Sequence, residues 1–188
     1  MSLIPWVVFA VIDRAAPSPQ WAAASAAVAA LVIAWPSLVA RSPLSLDLLA
    51  IGLFVVMAVA AFLAGPHGRQ IIADYGRTMA TGALALFVLL TLPFAPFTTQ
   101  YARRVVPREL WGTERFRRTN VVFSAVWGVA FAFMTVCHLI AAGDPGDRRL
   151  STVCNWLLPI AAVIAVLRFM DRYRQRQTAE PGAPHRPD

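Results

Sequence analysis

The run WAAASAAVAALVIAWPSLVA, residues 21–40, holds twenty consecutive positions without a charge. A hydrocarbon core of ~30 Å needs ~20 helical residues at ~1.5 Å each, so this run has the length of one membrane crossing. Trp21 and Trp35 suit interface anchors, and the alanines of the first half allow close backbone approach, which places this helix inside a bundle. Arg41-Ser42-Pro43 then turns the chain, and a second apolar run, 44–64, follows at once. Three more occupy 78–99, 120–142 and 152–170. No soluble core needs five such stretches in 188 residues. The expected fold is therefore all-α: a polytopic transmembrane helical bundle with five spanning helices. A short N-terminal apolar run, 3–12, is either a sixth crossing or a re-entrant segment.

Composition agrees. Hydrophobic residues make up 58% of the chain and charged residues 14%, against ~25% in soluble domains. The charges sit between the apolar runs or in the tail, so residues 1–170 form one domain and 171–188 a tail that starts basic and is disordered beyond roughly residue 177. A net charge of +7 would suggest nucleic acid in a soluble protein. Here it reads as juxtamembrane arginine facing anionic lipid, with no nucleic-acid partner. The opening MSLIPWVVFAVI lacks the basic start and the cleavage site of a removable signal. The two cysteines, Cys137 and Cys154, are too few and too far apart for a disulfide scaffold or a CxxC centre.

Between the apolar runs, GPHGRQIIADYGR (65–77) reads as a loop. The longer QYARRVVPRELWGTERFRRT (100–119) carries six arginines among aromatic and aliphatic residues, and Pro107 can open a short helix. Arg103, Arg104, Arg108, Trp111, Arg115, Arg117 and Arg118 are its candidates for contact with headgroups or a partner protein. An ordinary solvated loop with flanking arginines is the plainer alternative. If this loop faces the cytoplasm, so does the C-terminus. That side then holds Arg41, the six loop arginines and Arg168, Arg172, Arg174, Arg176 and Arg186, against Arg14, Arg69, Arg77, Arg148 and Arg149 opposite. The excess satisfies the positive-inside rule and puts the C-terminus inside.

Ionisable residues inside a span are functional candidates by default. Asp47, one turn into the second run, is the candidate for a proton or cation relay, although it can also simply reach water or Arg41. Cys137, His138 and Cys154 form a candidate polar cluster at the outer side, without a metal signature. His67 is the only plausible histidine partner for His138 in a haem site, and no cofactor is implied. Asn120 suits a helix cap, Asn155 a bridge between helices, and Asp13 with Arg14 a local pair. Ser124, Gly128 and Ala132, four residues apart, line one face for close helix packing. Pro93 and Pro96 end a helix or mark a discontinuous one. GxSxG, HExxH and P-loop motifs are all missing.

Ile4-Pro5-Trp6-Val7-Val8-Phe9, the basic loop running into Phe116, then Asn120 and Ala125-Val126-Trp127 resemble the intracellular septation protein A family of bacterial inner-membrane proteins. The resemblance covers about residues 3–170, though this loop is richer in arginine and the aromatics of the 120–142 helix are placed differently. It implies a role in cell-envelope synthesis or division through contacts with other membrane proteins, and carries over no active-site residue. The leading expectation is thus a non-enzymatic scaffold or accessory protein, binding anionic lipids and either other membrane proteins or itself. The alternatives are a small oligomeric channel or transporter using Asp47 or the Pro93–Pro96 break, and an accessory redox subunit using the Cys137, His138 and Cys154 cluster.

Overall fold

The computed structural model describes residues 4–15 and 19–179, with the side chains of 10, 13–15, 19, 178 and 179 left aside. The expected Asp13–Arg14 pair and most of the disordered tail therefore lie outside the described residues. Within them every regular element is helical: α1 (Ile4–Ala15), α2 (Pro19–Val39), α3 (Ser45–Leu63), α4 (Pro66–Thr91), α5 (Phe97–Ala102), α6 (Glu114–Gly143), α7 (Arg148–Thr152) and α8 (Leu158–Ala179). A short 3-10 turn covers Arg108–Leu110, and a π-helical turn, Val153–Leu157, joins α7 to α8.

Four helical stretches are long and apolar enough to cross a membrane: Gln20–Val39, Ser45–Leu63, Glu114–Gly143 and Arg148–Gln177. The fifth expected crossing does not meet that standard. Instead of spanning 78–99, the helix begins at Pro66, inside the stretch read as a loop, and stops at Thr91. Pro66 opens it at a position where a missing N–H costs nothing, and Gln70 bonds Asp74 one turn on. Pro93 and Pro96 then prevent continuation, and a turn separates α4 from α5. The first half of α4 is consequently polar. At 12 residues, α1 is about 18 Å long and too short to cross alone.

Two packing units make up the bundle. In the first, α1 and α3 flank α2, whose Ala22, Ala23, Ala26, Ala27, Ala30 and Ala34 are all buried. Trp6 and Phe9 of α1 close on Phe54 of α3, with ring centroids 5.0 and 5.2 Å apart. The alanine face of α2 is buried as expected, but Val28, Val32 and Trp35 on its other face are exposed, so the helix is not enclosed within the bundle.

In the second unit α6 is central, against α4, α5 and α8. Its buried positions 120, 124, 127, 131, 134, 138 and 141 alternate steps of four and three, the seam of a helix packed along its length. α4 runs antiparallel to it and buries Gly76, Ala80, Leu84 and Val88 on one face. Gly82 faces Thr135, and a Cβ at Gly128 would lie 2.6 Å from Leu89 and 3.2 Å from Val88. Ser124 and Gly128 therefore pack inside the chain, with Ala132 partly buried beside them. α8 is peripheral, with 11% of its apolar window buried against 39–44% in the other three spans. Leu46 of α3 and partly buried Trp6 tie the two units together.

Candidate functional site

Contacts between distant segments collect the arginine-rich parts at one end of the bundle. α2 ends in a reversal whose Ser42 N–H bonds the Ser37 carbonyl and whose Arg41 N–H bonds that of Leu38. Arg41 adopts φ 50°, the left-handed cap position that usually selects glycine. Gln100 of α5 then accepts the Ser45 N–H at 2.8 Å, and Arg104 donates to the Ser42 carbonyl at 3.2 Å. Arg115 bonds the Gln177 side-chain oxygen at 3.2 Å and its backbone carbonyl as well. Thr119 and Gln177 exchange a further bond.

The long loop folds on itself. Arg103 and Arg108 sit over Trp111, 5.2 and 5.8 Å from its ring, while the indole N–H bonds the Val106 carbonyl. The turn expected at Pro107 is present as a 3-10 turn, but α6 starts earlier than expected. Thr113 caps it by accepting the Phe116 N–H, so Asn120 is no cap. It lies buried two turns into α6, its amide bonded to the Phe116 carbonyl, and its own carbonyl accepts the Thr98 hydroxyl at 2.8 Å. Arg117 pairs with Glu114 at 3.3 Å where both are about three-quarters exposed, a contact of little energetic weight. Arg118 is exposed.

Inside this end lies a cavity of about 1080 Å³, lined from both packing units. Ile33, Ser37, Leu44 and Asp47 come from α2 and the start of α3, and Ile4 from α1. α5, the long loop, α6 and α8 supply the rest, including Thr98, Asn120, Arg104, Arg115 and Arg174. Asp47 is 4% exposed. Its oxygen Oδ1 has no hydrogen-bond partner, and Oδ2 is 3.5 Å from the Ser37 hydroxyl. That hydroxyl donates to the Ala34 carbonyl at 2.8 Å, and one proton cannot serve both acceptors. Nor does Asp47 cap α3, because Gln100 takes the Ser45 N–H. Among the described residues it forms no ion pair, with Arg41 or any other group. A buried carboxylate with neither oxygen well engaged is costly unless a water, an ion or a ligand satisfies it.

At the opposite end, His138 donates from Nδ1 to the Asn155 Oδ1 at 2.8 Å, and the Asn155 amide donates to Ser151 at 3.2 Å. Asn155 thus bridges two helical segments, as its position suggested. Cys137 and Cys154 are free thiols buried in one small cluster with Ala141. His67 is exposed in the first turn of α4. No group of three or more His, Cys, Asp or Glu side chains suited to a metal ion occurs among the described residues.

The π turn explains how Asn155 is presented. Pro159 lacks an N–H, and its ring crowds the carbonyl of residue 155, so the helix widens just before it. The Leu158 N–H accordingly reaches back five residues to the Val153 carbonyl. Pro159, Ser37 and Thr98 are absent from the sequence-based expectations, although a proline one turn after Asn155 is a visible signal. Comparisons with protein-family models, with curated proteins and with solved structures find no match for this chain.

Proposed function

We propose that the protein is a non-enzymatic accessory or scaffold component of a bacterial inner membrane, with its arginine-rich end in the cytoplasm. The observation that carries this reading is the convergence of residues 41–45, 97–119 and the end of α8 on one end of the bundle, through the Ser45–Gln100, Ser42–Arg104 and Arg115–Gln177 contacts. With α4 crossing as well as the four long apolar helices, twelve of the seventeen arginines of the sequence share a side, which agrees with the positive-inside rule. The exposed Arg103, Arg117 and Arg118 meet anionic headgroups or an acidic partner surface there. The small-residue face of α6 is occupied by α4 and α5, and Ile160, Ile164 and Leu167 of α8 are among the exposed aliphatic residues open to a partner helix or to lipid. A place in envelope synthesis or division follows from the resemblance to septation protein A.

Two measurements test this. Gly112 is exposed with open space around it, so a cysteine there should react with a membrane-impermeant maleimide in inverted vesicles and not in intact cells. The reverse pattern overturns the orientation. Crosslinking at native expression should capture membrane partners whose recovery falls when Arg103, Arg117 and Arg118 are changed together to Gln. Unchanged recovery removes the arginines from the function.

A further inference from the structure

We infer that the cavity at the arginine-rich end is a binding site for an amphiphile whose headgroup carries both a phosphate and a primary ammonium group, of the phosphatidylethanolamine type. This goes beyond the scaffold reading and does not depend on the exposed Arg103, Arg117 and Arg118.

The space is far larger than a bare ion needs. At about 1080 Å³ the space is at the upper end of pockets that hold drug-sized ligands. Ile33, Leu44, Val105, Leu110, Phe116 and Met170 give it apolar walls, fit for a glycerol backbone and the first part of an acyl chain. Charge then defines the head. Arg104 and Arg115 line the cavity at exposed positions, its mouth, and have N–H donors left beyond those bonded to Ser42 and Gln177. Planar forks of N–H donors are matched to phosphate oxygens. Asp47 lies within, 4% exposed, with Oδ1 unpartnered and Oδ2 only weakly approached. A buried carboxylate of this kind is satisfied by a cation that donates hydrogen bonds, and a primary ammonium offers three donors. The hydroxyls of Ser37 and Thr98 line the same space and already donate to Ala34 and Asn120, so they do not fill the need of Asp47. One ligand thus meets both demands: phosphate at the mouth and ammonium inside.

The test is native mass spectrometry of the purified full chain, titrated in detergent with phosphatidylethanolamine or with phosphatidylcholine of the same acyl chains. The choline head keeps the positive charge but has no N–H and is bulkier, so the hydrogen bonds to Asp47 are read from how far the preference depends on that residue. The ethanolamine lipid should bind at least about tenfold more tightly, the usual consequence of losing a charged hydrogen bond. Asp47→Asn should bring the two lipids to within about twofold. Joint replacement of Arg104 and Arg115 by Gln should weaken both by about the same factor. Soluble phosphoethanolamine, which has the head without the apolar body, should fail to compete at concentrations that saturate the lipid. Equal binding of both lipids to the unaltered chain overturns the proposal, and this arm needs no variant to fold. Retention of the preference in Asp47→Asn overturns the role of Asp47, and effective competition by phosphoethanolamine overturns the amphiphile.

Discussion

The two packing units solve the same problem with opposite materials. The α1–α3 unit buries alanine, with Phe9 and Phe54 as its largest fully buried side chains, whereas the α4–α8 unit buries Phe97, Phe123, Trp127, Phe131 and Met134 around a glycine and a serine. Between helices in lipid there is little hydrophobic drive to association, so close van der Waals fit and interhelical hydrogen bonds must carry it. Alanine achieves the fit by letting backbones approach. The second unit achieves it by interlocking, with Trp127 stacked on Phe131 and Gly128 receiving Val88 and Leu89. The cavity opens where the two styles meet, at the start of α3.

The contrast can be broken from either side. Trp127 is 1% exposed, and Trp127→Ala should cost about 3–5 kcal/mol in a reversible unfolding measurement, by leaving a large void. The alanine unit has little to delete and should fail by addition: Ala26→Leu should cost about 1–3 kcal/mol, since no space exists for the added carbons. If Ala26→Leu is neutral, the close approach of α2 to its neighbours is wrong. Asn155→Leu removes the His138 bond and should cost about 0.6–1.7 kcal/mol, the range of interhelical hydrogen bonds measured in membranes. Arg41→Gly should stabilise by about 0.5 kcal/mol. It relieves a left-handed strain of ~1 kcal/mol, partly offset by the greater freedom of glycine in the unfolded chain. A loss of stability instead would show that the Arg41 side chain supplies more than its backbone strain costs.

How legible this was from the sequence depended on whether a feature is local. The alanine run, the Ser124–Gly128 face and the bridging Asn155 were readable because each needs only helical periodicity and residue size. The start of α4 is not legible from hydropathy, because GPHGRQIIADYGR forms a helix by its Pro66 start and its Gln70–Asp74 pair. Asn120 was misread as a cap because the apolar run begins there, whereas the helix begins at Thr113, which is followed by Glu114 in the favourable first turn. Asp47 stood out as an acid in an apolar run, but its lack of partners was not readable. That follows from Gln100 taking one donor and Ala34 receiving another, and from a cavity whose walls come from residues as far apart as Ile4 and Gln177.

The widened turn before Pro159 has a consequence at the other end of its own helix. It inserts one residue beyond the α-helical count, and each residue turns a helix by about 100°. Deleting one residue from Val153–Leu157 would leave the later faces in place, whereas winding that stretch as ordinary α-helix without removing a residue would rotate everything after it by that amount. Tyr173 would swing off Phe123, and Gln177 would swing away from Arg115 and Thr119. The turn is therefore a phase setting: it keeps the face that meets His138 in register with the face that meets Arg115, along a single 30-residue helical stretch.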